Sequence, residues 1–167
     1  VYKRQHHDYK LTVASHLTCV GASQEQIEEL LNRLNSNGVE NLMVLRGDPP
    51  KGESHFTPHD GGFTHAGELV AFVKKRYPKM CVGVAGFPEG HPETPNRLKE
   101  LEYLKAKVDM GADFICTQVF FDNHDFYDFC ERCELIGIRV PIIAGIMPIT
   151  SLDSMKRMAE LALGTRY

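Results

Sequence analysis

The 167-residue sequence lacks the features of a membrane protein or a nucleic-acid-binding protein. No apolar run approaches the roughly 20 residues that a membrane-spanning helix needs. No signal peptide opens the chain, which begins with Val1 rather than Met. The net charge is -3, so no excess of basic side chains could attract a nucleic acid or an anionic membrane. We therefore expect a cytoplasmic protein that binds neither.

Cysteines in a disulfide or metal-binding pattern are also missing. The five cysteines are an odd number spread through predicted core segments, which is typical of reduced thiols. Only Cys130 and Cys133 have the spacing of a redox or zinc pair, and no second CxxC completes a zinc site. Because the two cysteines continue the apolar stripe of Phe126 and Phe129, we interpret them as part of a packed helix face. We predict no metal site.

No nucleotide-binding fingerprint is present. Neither G-x-G-x-x-G nor G-x-x-x-x-G-K-[ST] follows any apolar segment, which weighs against the open-sheet folds that bind nucleotides through such loops. The composition is that of an ordinary globular protein, with 43% apolar and 25% charged residues. This length and composition are sufficient for one domain with a hydrophobic core.

Five short apolar segments alternate with longer segments of helical periodicity, which predicts a parallel α/β sheet. Each run is nearly all apolar, and the run 42–45 is continuous, as in a strand that is buried on both faces. The predicted strands are residues 11–18, 42–45, 82–87, 114–121 and 141–146. The predicted helices begin near residues 23, 64, 94, 123 and 150, and residues 1–10 show neither periodicity. Ser23 and Gln26 form a capping box, Thr94 is an N-cap, and Gly38 ends the first helix.

Two ways of closing such a sheet fit the pattern. An open doubly wound sheet could use five strands, whereas a (β/α)₈ barrel would need about three more strand–helix units outside the chain. In both architectures, ligands bind where the loops that follow the strands converge.

Polar side chains concentrate at the carboxyl ends of the predicted strands. Any α/β protein has some polar residues there, but the whole set indicates a ligand site. Gln118 lies in the apolar run 115–121, where an unsatisfied buried amide would cost roughly 1–3 kcal/mol. We therefore expect Gln118 to face a ligand or a polar network. The set consists of His16, Thr18, Arg46, Asp48, Glu89, His91, Glu93, Gln118 and Asp122.

Six motifs in this order and spacing resemble the methylenetetrahydrofolate reductase family. They occupy residues 16–19, 41–49, 87–93, 104–113, 117–122 and 141–149, and the resemblance extends from about residue 12 to 162. It implies a (β/α)₈ TIM barrel. Residues 1–167 would be a fragment of this barrel that is truncated at both ends and contains strands three to seven. The family's catalytic glutamate belongs to the first strand, so we expect this fragment to be inactive alone.

The resemblance also implies a set of FAD-contacting residues. Arg46 and Lys107 would supply positive charge for the diphosphate, and Phe87 would lie against the flavin ring. The helix opened by Thr94 would offer free backbone N–H groups. The family more often has Tyr, Ala and Asp at the positions of Phe87, Thr94 and Glu100. The implied cofactor-binding residues are His16, Arg46, Gly47, Asp48, His65, Ala66, Phe87, His91, Pro92, Glu93, Thr94, Glu100 and Lys107.

The resemblance implies a flavoprotein oxidoreductase of one-carbon metabolism and methionine biosynthesis. It would pass hydride from NAD(P)H through FAD to methylenetetrahydrofolate, giving methyltetrahydrofolate. Folate would meet Asp48 and Gln118, with Asp48 as the catalytic residue within this chain. A flavin-free pterin-binding barrel and a catalytically silent partner subunit stay open as alternatives. The oligomeric state is also open, a homo-oligomer included.

Overall fold

The computed structural model describes residues 2–49, 52, 55–91, 93, 94 and 96–161. The chain divides into two compact units. The first extends to Val84 and includes Met110–Ala112, and the second consists of Ala85–Asp109 and the chain from Asp113 onward. Five strands alternate with helices along the chain. The elements are α1 Tyr2–Tyr9, β1 Ala14–Thr18, α2 Gln24–Ser36, β2 Asn41–Leu45, α3 Ala66–Arg76, β3 Cys81–Gly86, α4 Arg97–Asp109, β4 Phe114–Thr117, α5 Asn123–Leu135, β5 Ile142–Ile143 and α6 Leu152–Leu161.

The strands pair in parallel and in chain order, β1-β2-β3-β4-β5. Parallel registers include Ala14 opposite Asn41 and Ile115 opposite Ile142. A doubly wound sheet reverses its strand order at a switch point, whereas neighbouring strands of a (β/α)₈ barrel follow one another in sequence. The structure therefore confirms the predicted α/β class, and its strand order is that of five consecutive barrel strands.

In the first unit, burial alternates along the strands. Ser15 and Leu17 of β1 are buried and His16 between them is exposed, while Leu42 and Val44 of β2 have no solvent-accessible surface. Helix α3 packs against β2. We predicted that the strand at residues 42–45 is buried on both faces, but the face of β2 that carries Met43 is only partly covered. Helices thus bury one face of these strands and leave the other accessible.

The predicted ends of α2 are confirmed. The Ser23 hydroxyl accepts a hydrogen bond from the Gln26 N–H at 3.3 Å, and the Gln26 side chain accepts one from the Ser23 N–H at 2.9 Å. At the other end, Gly38 has a φ of +74°, and the Val39 N–H donates to the Leu34 carbonyl at 3.1 Å. This is the Schellman arrangement that ends many helices.

In the second unit, the core includes residues of the strands and of helices α4 and α5. Helix α4 buries Leu101 and Leu104, and α5 buries Phe129 and Cys133. Gly86 at the end of β3 allows close packing there. A Cβ atom on Gly86 would lie 2.8 Å from both Ile115 Cγ2 and Phe129 Cζ.

Several predicted boundaries are wrong. The first residues form α1, which the polar sequence did not indicate, and β4 ends at Thr117 rather than residue 121. Strand β5 has only two residues instead of six. Helix α4 begins at Arg97 rather than Thr94, because the Asn96 side chain accepts a hydrogen bond from the Lys99 N–H at 2.9 Å and thereby caps the helix.

None of the five cysteines, all in the described part of the chain, forms a disulfide. Burial raises the pKa of the Cys133 thiol to about 11 and also raises that of Cys130. Within the described ranges, no group of three or more His, Cys, Asp or Glu side chains could hold a metal ion. No helix in the same part of the chain is long and apolar enough to cross a membrane.

We predict that Cys133 is unreactive in the folded protein. A pKa raised to about 11 lowers the thiolate fraction at pH 8 by on the order of 100-fold relative to an unperturbed thiol. Timed labelling of the full-length protein with a disulfide reagent, read by mass spectrometry, should therefore modify Cys133 only after unfolding. Rapid labelling, or a Cys130–Cys133 disulfide after mild oxidation, would contradict the assignment as a packed thiol.

We also predict that Gly145→Ala destabilises the protein strongly. A Cβ atom at Gly145 would lie 2.1 Å from the Thr117 carbonyl oxygen, which is backbone and has little freedom to move. Such overpacking costs roughly 1–3 kcal/mol or more. Gly137→Ala is the control, because nothing lies within 4 Å of its Cβ position and only its φ of +80° opposes the change. Urea unfolding should show the larger loss for Gly145→Ala, and equal stability to the parent would refute the close contact.

Candidate functional site

In the first unit, the chain after β2 bends closely against the end of β1. The Cys19 N–H donates to the Leu45 carbonyl at 3.3 Å and to the Arg46 carbonyl at 3.0 Å. Gly47 has a φ of +89°, and a Cβ atom there would lie 2.9 Å from Val20 Cγ1. Only glycine fits this backbone conformation and this close approach without strain. Gly47 therefore sets the path on which Arg46 and Asp48 lie.

Arg46 and Asp48 differ in their surroundings. The Arg46 side chain is half-buried, and its guanidinium lies 5.2 Å from the centre of the Phe56 ring, within cation–π range. The Asp48 side chain is exposed. His16 is exposed on the less covered face of β1, in register with Met43. This part of the site thus presents a fixed cation and an accessible carboxylate at strand ends.

His65 and Ala66 lie at the start of α3. The Glu68 carboxylate accepts hydrogen bonds from the Thr64 N–H at 2.9 Å and the His65 N–H at 3.3 Å. These bonds hold the pKa of Glu68 below its usual value. The start of α3 is therefore capped by the Glu68 side chain from its first turn, and the His65 ring is exposed beside it.

In the second unit, the loop after β3 is ordered by hydrogen bonds within itself. The Gly90 N–H donates to the Phe87 carbonyl at 3.0 Å, which closes a turn over residues 87–90. The Phe87 and His91 rings meet edge-to-face, with their centres 4.7 Å apart. The Glu93 N–H donates to His91 Nδ1 at 3.1 Å. Because Nδ1 accepts this bond, a neutral His91 carries its proton on Nε2, which can then donate to a ligand.

Thr94, Glu100 and Lys107 form a second polar group in this unit. The Thr94 hydroxyl donates to Glu100 Oε2 at 2.8 Å, and Glu100 is only 6% exposed. Lys107 Nζ donates to the carbonyl of Ala85 in β3 at 2.8 Å. Burial lowers the pKa of Lys107, and the charge of Glu100 opposes this shift. The ammonium thus lies against the end of β3.

Gln118 and Asp122 follow β4. The Gln118 N–H donates to the Gly86 carbonyl at 2.8 Å, and its side-chain oxygen accepts from the Val119 N–H at 3.3 Å. Its side chain is half-buried. Asp122 caps α5 by accepting from the His124 N–H at 2.8 Å, which lowers the pKa of Asp122. Asp122 therefore has a structural task, whereas Gln118 lies directly beyond a strand end.

The predicted cofactor residues fall into two groups, with contacts found inside each unit. The first unit contains His16, Arg46, Gly47, Asp48, His65 and Ala66, and the second contains Phe87, His91, Glu93, Thr94, Glu100 and Lys107. Pro92 lies outside the described residues. Sequence reasoning missed Phe56, which stacks on Arg46, and Arg132, which donates to the Pro88 carbonyl at 3.4 Å. No local pattern marks such pairs, because the partners are far apart in the chain.

The donor set suits a flavin dinucleotide. The Arg46 cation is held in place at a strand end and can pair with a phosphate oxygen. The aromatic edge of Phe87 and His91 can contact a planar ring, and His91 Nε2 can donate to it. Taken separately, each unit therefore offers groups of a kind that can contact FAD.

Comparison with known proteins shows what the chain is similar to. A family model described as methylenetetrahydrofolate reductase matches residues 1–166. Methylenetetrahydrofolate reductase 2 of Saccharomyces cerevisiae is 42% identical over 153 residues, which are 90% of this chain and 26% of the relative. Methylenetetrahydrofolate reductase (NADH) 1 of Arabidopsis thaliana is 43% identical over 154 residues, which are 86% of this chain and 26% of that relative. The chain thus spans about a quarter of their length.

A solved structure shares the fold. It is an uncharacterized protein from Clostridium thermocellum whose description states that it binds two copies of 5-methyl-5,6,7,8-tetrahydrofolic acid. The TM-score is 0.51 with 14% identity, and the alignment covers 92% of this chain and 71% of the other. At this identity the likeness concerns the fold alone. The family model, which matches almost every residue, decides the assignment: the chain belongs to the methylenetetrahydrofolate reductase family.

Proposed function

We propose that this chain is part of a cytoplasmic enzyme that reduces methylenetetrahydrofolate to methyltetrahydrofolate. FAD is the proposed cofactor and NAD(P)H the proposed electron donor, in the one-carbon metabolism that supplies methionine. The observation that carries the proposal is the bend at Gly47, which places Arg46 and Asp48 at the carboxyl end of a parallel strand in a chain of this family. Ligands of parallel α/β barrels bind at that end.

The proposed task of the protein is to bind and orient. Arg46 would pair with a phosphate of the cofactor, and its contact with Phe56 restricts the guanidinium before binding. Phe87 and His91 would contact the ring system, with His91 Nε2 as the donor. When bound, FAD would supply the hydride chemistry that protein side chains lack. Gln118 would donate or accept hydrogen bonds with the folate.

Asp48 has the proposed electrostatic role. Opening the methylene bridge of the folate produces a cationic iminium, which an adjacent carboxylate stabilises. The Asp48 side chain is exposed, so a substrate can reach it without rearrangement of the core. The same negative charge disfavours electron uptake by a nearby flavin. Asp48 therefore favours the folate step and opposes the reduction step.

The proposal is tested on the full-length protein. We expect the purified protein to carry FAD or to bind added FAD, with the visible absorption of an oxidised flavin. Anaerobic NAD(P)H should bleach this absorption, and methylenetetrahydrofolate should restore it. If the protein is colourless and binds folate but not added FAD, the proposal is wrong and the chain belongs to a flavin-free pterin-binding barrel. A protein that binds neither would leave the silent-subunit alternative.

Asp48→Asn in the full-length protein should slow the folate half-reaction by on the order of 10- to 1000-fold, the range for losing one well-placed electrostatic group. The flavin should still bind and should become easier to reduce. Anaerobic rapid mixing, followed by flavin absorbance, measures the two half-reactions separately. Glu29→Gln, which removes an exposed carboxylate from α2, should change neither rate. An Asp48→Asn protein that reoxidises as fast as the parent would show that Asp48 is only structural.

A further inference from the structure

We propose that Arg132 is a positioning residue that holds the loop after β3, residues 87–91, in the conformation that receives the ligand. This inference rests on the proposed function, because that loop carries Phe87 and His91. Arg132 is on α5 and lies 44 residues from its loop partner Pro88. It has no part in binding itself.

In the turn at residues 87–90, the central peptide group can point in either of two directions, depending on the type of turn. The Gly90 N–H bonds to the Phe87 carbonyl, so Pro88 and Glu89 are the two central residues. The Pro88 carbonyl belongs to the peptide between them, which points in opposite directions in type I and type II turns. Glu89 does not have a positive φ, as type II would require at this position. The turn therefore has the type I orientation.

Arg132 contacts this central peptide directly. Its Nη2 donates to the Pro88 carbonyl at 3.4 Å, and Nε donates to Asp128 Oδ2 at 2.8 Å. The side chain is 20% exposed, less than half the exposure of Asp128. A planar guanidinium held by a carboxylate points its remaining N–H groups in fixed directions. Arg132 thus favours the orientation in which the Pro88 carbonyl faces α5.

Asp128 is fixed in turn by a second arginine. Arg97 of α4 donates to Asp128 Oδ2 at 3.3 Å and to Asp125 Oδ1 at 2.9 Å. The Asp125 side chain is 15% exposed, so this ion pair is partly shielded from water. Two arginines and two aspartates form a neutral network that joins α4 to α5.

The network contacts the loop through Arg132. Arg132 reaches the Pro88 carbonyl, and a Cβ atom on Gly90 would lie 3.8 Å from Arg97 Cγ. Arg132 therefore contacts the turn that precedes His91, and Arg97 lies beside that turn. A network that only fastened two helices would not need the hydrogen bond from Arg132 to the loop.

The experiment compares Arg132→Met with Arg139→Met in the full-length protein without added FAD. Arg139 also forms an ion pair, with Glu134 at 3.1 Å, but that pair is well exposed. Hydrogen exchange is followed at the Gly90 and Thr94 amides, both of which donate to loop carbonyls. We expect exchange to be faster by on the order of 10-fold in Arg132→Met only, as for loss of one charge-assisted hydrogen bond. The dissociation constant of FAD should rise by a similar factor.

Arg132→Lys provides a second test if Arg132→Met does not fold. Lysine keeps the charge but lacks the planar fork that engages Asp128 and Pro88 together, so loop exchange should lie between the parent and Arg132→Met. Suppose instead that either Arg132 variant has a lower Tm while its loop amides exchange at the same rate as in the parent. This result would overturn the proposal and show that Arg132 only joins the two helices. If the parent fails to bind FAD while Arg132→Met still loosens the loop, the proposed function falls and the positioning role stands.

Discussion

Parallel pairing is the constraint on which the rest of this structure depends. In a parallel sheet, every loop that follows a strand emerges at the same edge, whatever its sequence. In the first unit, Thr18 ends β1 and Arg46 follows β2; in the second unit, Phe87 follows β3 and Gln118 follows β4. A polar residue that directly follows a strand therefore lies at the carboxyl end of the sheet simply because the strands are parallel.

The sequence predicted those features that depend on local chemistry. Ser23 and Gln26 cap α2 as expected, since their reciprocal bonds involve residues three apart. Strand positions were also found, because most of the strands lie in runs that are nearly all apolar. Strand ends were not, because apolar residues continue past β4 while its pairing stops at Thr117. The start of α4 was missed because Asn96 and Thr94 are both good capping residues, and the chain uses Asn96.

For the candidate site, the sequence indicated positions but not pairings. Strand-end residues such as Arg46 and Gln118 were recognisable from their place in the pattern. The contact of Arg46 with Phe56 and that of Arg132 with Pro88 depend on how loops and helices pack, which spacing does not reveal. Lys107 shows the same limit. The resemblance implied that it supplies positive charge to a diphosphate, whereas its ammonium donates to the Ala85 carbonyl in a place where burial lowers its pKa.

The hydrogen bond between Thr94 and Glu100 has a consequence for which of these two residues can be replaced alone. They are two of the three implied cofactor positions at which this chain departs from the residue that the resembling family more often has, and they contact each other. A longer carboxylate at 100 opposite alanine would leave a nearly inaccessible anion without its hydroxyl donor, which is costly. Threonine opposite the shorter aspartate would leave only a half-buried hydroxyl unsatisfied. Replacing Thr94 alone is therefore the costlier of the two single changes.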